Sequence, residues 1–153
     1  MKTGLVLEGG GMRGIYTCGV LDVMMDKGFE PDVLCGTSAG ALFGVNLPSK
    51  QRGRAFDYNY RYCDNSNYVS IRSLIRTGNM VNVDFSYNRI PNELVPFDEA
   101  AYEASKTQVF ATVTNVKTGK AEYIHIKNCM TQIDWLRASG TLPFISRRVH
   151  IGE

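Results

Sequence analysis

Two glycine-rich stretches near the start of the chain hold residue types suited to acyl transfer. One is Cys35-Gly36-Thr37-Ser38-Ala39-Gly40, a G-x-S-x-G pattern, and the other is Glu8-Gly9-Gly10-Gly11-Met12-Arg13-Gly14. A serine at the centre of G-x-S-x-G sits on a sharp strand-to-helix turn with its hydroxyl raised above the sheet, free to attack a carbonyl carbon. Gly36 and Gly40 suit that turn because a Cβ at either place would meet the crossing backbone. Thr37 and Ala39 flank the serine, and the helix that follows directs free N–H groups and partial positive charge at it. Gly9, Gly10 and Gly11 offer the other half of the chemistry, since residues without side chains let successive N–H groups converge on an oxygen anion.

Each stretch has a plainer reading. The first could be a glycine turn with Thr37 or Ser38 as N-cap. The second formally fits G-x-G-x-x-G, the phosphate loop of dinucleotide sites, but a lone match is weak. No acidic residue ends the second strand to hold a ribose; that strand runs into the Ser38 turn instead.

The elements that must position these loops can be read locally. Thr3-Gly4-Leu5-Val6-Leu7 is a continuous apolar run, the pattern of a strand covered on both faces. From Met12 the apolar residues Ile15, Tyr16, Val20, Val23 and Met24 recur at helical spacing, and Lys27-Gly28 ends the helix. Phe29-Glu30-Pro31 turns back into a second strand, Asp32 to Cys35. Such a unit predicts parallel strands with a right-handed crossover, which puts both glycine loops at the same ends of neighbouring strands. A cradle of N–H groups would then face a serine hydroxyl.

Composition bounds the rest. The 153 residues are one domain's worth of chain, with 44% hydrophobic and 21% charged residues, as in an ordinary globular protein. A net charge of +2 from 17 basic and 15 acidic residues gives no argument for nucleic acid. Lys50-Gln51-Arg52-Gly53-Arg54 and Arg147-Arg148 read as solvated surface. The four cysteines, Cys18, Cys35, Cys63 and Cys129, form no C-x-x-C pair. With no secretory h-region at the N-terminus they point to a reducing, cytoplasmic setting with thiols packed as small hydrophobes. No apolar run approaches the ~20 residues of a membrane span. Neither histidines nor cysteines show metal-ligand spacing, and no cofactor is expected.

The pair of motifs, at this spacing, resembles the patatin-like phospholipase family, its bacterial branch especially. The likeness continues through Ser70-Ile71-Arg72-Ser73-Leu74, Thr77-Gly78, Val83-Asp84-Phe85, Thr118-Gly119-Lys120, and Arg137-Ala138-Ser139 before Leu142-Pro143-Phe144. It covers essentially residues 1–153. The resemblance implies a three-layer α/β/α fold and a lipid acyl hydrolase working through a Ser–Asp dyad. By that resemblance Ser38 is the nucleophile and the Gly9–Gly11 amides form the oxyanion hole, with Arg13 holding the loop or stabilising the anion. Its substrate would be a lipid or fatty-acyl ester, met by peripheral contact with a membrane.

One departure stands out. The family's aspartate lies in an Asp-Gly-Gly or Asp-Gly-Ala motif, and no Asp-Gly dipeptide occurs here. Asp57, Asp64, Asp84, Asp98 and Asp134 have no comparable context, so none is assigned the role. The chain therefore reads as the N-terminal portion of the family domain, with an incomplete C-terminal part and surface left for a homo-oligomer. A catalytically inactive lipid- or partner-binding module is the alternative. A histidine triad is not favoured: His125 lies in an alternating strand, and Ser38 comes too early in the chain for an α/β-hydrolase.

The remaining segments read as scaffold. A helix is expected over 50–63, with Phe56, Tyr60 and Cys63 on one face; Tyr58, Tyr60 and Tyr62 could pack or line an acyl site. A short helix ends at Gly78, and 79–88 would hold a lid or substrate-facing loop. Asp98 caps a helix through Ala104, a strand pair turns at Lys117-Thr118-Gly119-Lys120, and a capped helix starts at Thr131. The sum is an α/β fold with a central, mostly parallel sheet and one antiparallel edge hairpin.

Overall fold

The computed structural model describes residues 1–152. β1 (Gly4–Leu7) and β2 (Val33–Thr37) are parallel, with Leu5 opposite Leu34 and Leu7 opposite Gly36, and α1 (Ile15–Asp26) connects them. β3 (Gln108–Thr114) lies parallel to β2 on its other side, and β4 (Ala121–His125) adds an antiparallel edge. The order β1-β2-β3-β4 is the mostly parallel sheet with an edge hairpin that the strand signals predict. The hairpin turn is held by Asn115, whose Oδ1 accepts from the N–H groups of Lys117 and Thr118, and by Gly119 at φ 70°.

The short helix α2 (Ala39–Gly44) crosses β1 and β2, and α6 (Ile133–Ser139) lies over β3. α1 and α3 (Arg54–Tyr62) pack outside α2. The core joins Leu7, Leu34, Val109 and Ala111 of the sheet to Ala41, Phe43, Val45 and Leu136 of the helical layer. Each large aliphatic side chain buried there stabilises the fold by about 1.5–3 kcal/mol. Alternate strand residues point the other way: Val6 is 80% exposed and Tyr123 63%, with Cys35 and Phe110 between them only partly covered.

Several local expectations change. α1 is apolar nearly all round, and it buries Cys18 and Leu21 while Tyr16 and Val23 face outward. α3 starts at Arg54 rather than residue 50, because Lys50 and Gly53 take left-handed conformations at φ 55° and 75°. Its inward face is Ala55, Tyr58 and Asn59; Phe56 and Tyr60 stack on each other at the surface. α4 (Ile71–Thr77) ends at left-handed Gly78 as expected. The segment after it does not stay a loop: Phe85–Leu94 forms a wide π-helix containing Pro91. Asp98 caps α5 (Glu99–Ala104) through the Ala101 N–H, as the sequence predicts. The start of α6 lacks a side-chain cap, because Gln132 accepts from Lys127 and Asn128 instead.

Candidate active site

The two glycine loops leave the C-terminal ends of adjacent parallel strands and meet. Ser38 follows β2 directly, with φ 54° and ψ −121°, a conformation that side-chain-bearing residues rarely adopt. The turn is closely packed, with room for no side chain at either flanking glycine. A Cβ on Gly36 would lie 2.6 Å from the backbone of Ala41, and one on Gly40 would overlap the carbonyls of Leu7 and Glu8. A third restraint comes from far along the chain. The N–H of Ser38 donates to Ser139 Oγ at 2.7 Å, and Ser139 donates in turn to the carbonyl of Thr112 at 2.7 Å.

The triple-glycine loop presses on the serine. A methyl group on Gly9 would come within 3.1 Å of Ser38 Cβ and 3.8 Å of Oγ. Gly11 is left-handed at φ 54°, opening a short 3-10 turn from Gly11 to Gly14 ahead of α1. Among the described residues the N–H groups of Gly9, Gly10, Gly11 and Ala39 donate to no protein acceptor. Arg13 is exposed on that turn, its side chain folded against Gly10. Ser38 Oγ has neither a carboxylate nor an imidazole hydrogen-bonded to it among the described residues. His125 stacks on Phe110 of the sheet face opposite the helices.

Ser38 opens onto a cavity of about 280 Å³ that runs into the helical layer. Leu42, Phe43, Ile90, Pro91, Leu136 and Leu142 are among the apolar residues of its wall. The wide helix contributes Ser86, Tyr87, Ile90 and Pro91, so part of the 79–88 segment borders the cavity in a helix rather than in a loop. Tyr58 of α3 also borders the cavity, whereas Tyr60 is exposed and Tyr62 packs edge-on against Phe85. Burial raises the Tyr58 phenol well above its usual range and pushes Tyr87 up to about 12, so both stay protonated at neutral pH.

Local patterns gave no hint of the role of two residues. Ser139 lies 101 residues from the serine it holds. Arg54 reads as part of a basic surface cluster, yet it borders the cavity with a guanidinium whose pKa is lowered by burial.

A sequence model of the patatin-like phospholipase family matches residues 5–153. The chain belongs to the patatin-like phospholipase family. It is 30% identical over 144 residues to the uncharacterized protein YjjU of Escherichia coli, covering 93% of this chain and 40% of that protein. A stretch of 44 residues is 49% identical to lysophospholipase NTE1 of Chaetomium globosum, 29% of this chain and 3% of the relative. Another 41-residue match, 45% identical, is to triacylglycerol lipase ptl3 of Schizosaccharomyces pombe, 27% of this chain and 8% of the lipase. The chain thus spans less than half the length of these family relatives. Among the described residues no helix is long and apolar enough to cross a membrane.

Proposed function

We propose that this patatin-like chain carries the nucleophile, oxyanion site and acyl pocket of a serine hydrolase acting on lipid acyl esters. The observation that carries the reading is a strained serine at the mouth of an apolar cavity, with bare glycine amides pressed against it. Ser38 Oγ attacks the ester carbonyl, and the developing oxyanion takes hydrogen bonds from the N–H groups of Gly9–Gly11 and of Ala39. An oxyanion donor of this kind is commonly worth about 10²–10³ in rate. The serine proton passes to an aspartate and then to the departing alcohol; water next cleaves the acyl-enzyme and frees the fatty acid. By family resemblance that aspartate belongs to an Asp-Gly motif, a dipeptide that does not occur in this sequence, and lacking it costs about 10²–10⁴. Arg13 steadies the glycine loop. Leu142, at the cavity, and Phe144, 99% exposed two residues on, are apolar enough to meet a lipid surface.

A second reading, a lipid-binding module without turnover, is favoured by the absence of any acid or imidazole bonded to Ser38 Oγ among the described residues. A fluorophosphonate serine probe separates the two. Labelling that disappears in Ser38→Ala supports the hydrolase; no labelling of the unmutated chain supports the binding module.

A further inference from the structure

The wall of the Ser38 cavity is not uniformly apolar. Arg54, the first residue of α3, borders it. Its Nε donates to the carbonyls of Val95 and Pro96, Nη2 to Val95 at 2.8 Å, and Nη1 to Asn46 Oδ1 at 3.0 Å. The guanidinium lies over the rings of Tyr58 and Phe97, with Cζ 5.5 and 5.1 Å from their centroids. A guanidinium has five N–H donors, so these bonds leave one N–H on each terminal nitrogen unused. No carboxylate pairs with Arg54 among the described residues. Every partner it has is neutral.

Two further polar groups border the same cavity without partners. Tyr58 is 9% exposed and its hydroxyl makes no hydrogen bond among the described residues. Ser86 Oγ is buried and unsatisfied. A cavity meant for hydrocarbon alone gains nothing from a half-buried cation and two unpaired hydroxyls, of which Ser86 Oγ is shut off from water. A planar anion would answer the neighbouring Arg54 and Tyr58, and carboxylate suits the N–H donors of guanidinium.

We propose that the Ser38 cavity contains a carboxylate site, in which Arg54, assisted by Tyr58, receives the carboxylate of an aliphatic chain running along Phe43, Ile90 and Leu136. This rests on the assignment of the cavity to an acyl chain. The carboxylate has two chemical sources: a free fatty acid held head-inward, or an ester whose acyl chain ends in a second, free carboxylate.

Isothermal titration at pH 8 of the Ser38→Ala chain, which removes turnover, tests this with two ligand pairs: decanoate against decanol, and monomethyl against dimethyl sebacate. The charged member is expected to bind about tenfold tighter or more. Preference for decanoate alone identifies the fatty acid, and preference for monomethyl sebacate as well admits the carboxylate-ended ester. Adding Arg54→Gln should erase the preference while neutral ligands keep their affinity, and Tyr58→Phe should reduce it. Circular dichroism checks folding, and the ligand pairs decide the matter with Arg54 intact. Neutral and charged ligands binding alike, or a preference that survives Arg54→Gln, overturns the carboxylate site and leaves the acyl cavity standing. If no ligand of either kind binds, both fail.

Discussion

The two faces of the sheet teach different lessons. On one, Leu7, Leu34, Val109 and Ala111 lie under α2 and α6, and α6 supplies the Ser139 hydroxyl that holds the Ser38 N–H. On the other, Val6, Cys35, Phe110 and Tyr123 lie in the open or partly so, although the strands read almost as apolar on both faces. Parallel strands usually bury both faces under helices. Here the Ser38 turn and its cavity lie on the covered face, and the apolar character of the other contributes little to them.

The sharpest way to break that contrast is Leu34→Ala. Leu34 is wholly buried, so chemical denaturation should show a loss of about 2–5 kcal/mol. Next comes Ser139→Ala, which leaves the Ser38 N–H and the Thr112 carbonyl without their partner. A destabilisation of about 1–3 kcal/mol is expected, together with weaker fluorophosphonate labelling of Ser38. If labelling is unchanged, the turn does not need its distant clamp.

Cysteine reactivity maps the two sides with smaller perturbation. Burial pushes the Cys18 thiol up to about 12 and raises Cys129 further, so both stay protonated, while Cys63 is exposed and Cys35 faces the open side. Maleimide at pH 7.5 should modify Cys63 first and Cys35 next, sparing the buried pair until denaturant is added.

A pH effect should appear at the free edge. The Thr3 N–H and hydroxyl donate to Asp32 and hold its carboxylate below the usual range, tying the start of β1 to β2. A lowered folded pKa means that this tie is fully present above the ordinary carboxylate value of about 3.9 and is lost as pH falls through the folded value. The difference in Tm between the unmutated chain and Asp32→Asn should therefore shrink from pH 7 to pH 3. The smallest change belongs to the open face: Val6→Thr should shift stability by no more than about 0.5 kcal/mol.

Much of the site was legible because it is local. The G-x-S-x-G turn, the triple glycine and the strand–helix–strand unit between them all lie within the first 40 residues. Their geometry follows from missing Cβ atoms and apolar period. The helix faces of α1 and α3 were less legible, since both carry aromatic and aliphatic residues on more than one side. The wide helix over Phe85–Leu94 was hidden by Pro91 and by polar residues that read as loop.

The amino-acid order alone thus determined which serine is raised, which loop lies beside it, and that their strands run parallel. Those features depend on neighbours a few positions apart, where backbone sterics leave one choice. Tertiary structure decided the rest: which sheet face is covered, that Ser139 clamps the turn, and that Arg54 borders the cavity instead of standing in solvent. Each of these depends on surfaces brought together from distant parts of the chain, and burial, unlike a turn, is not written in any short stretch of residues.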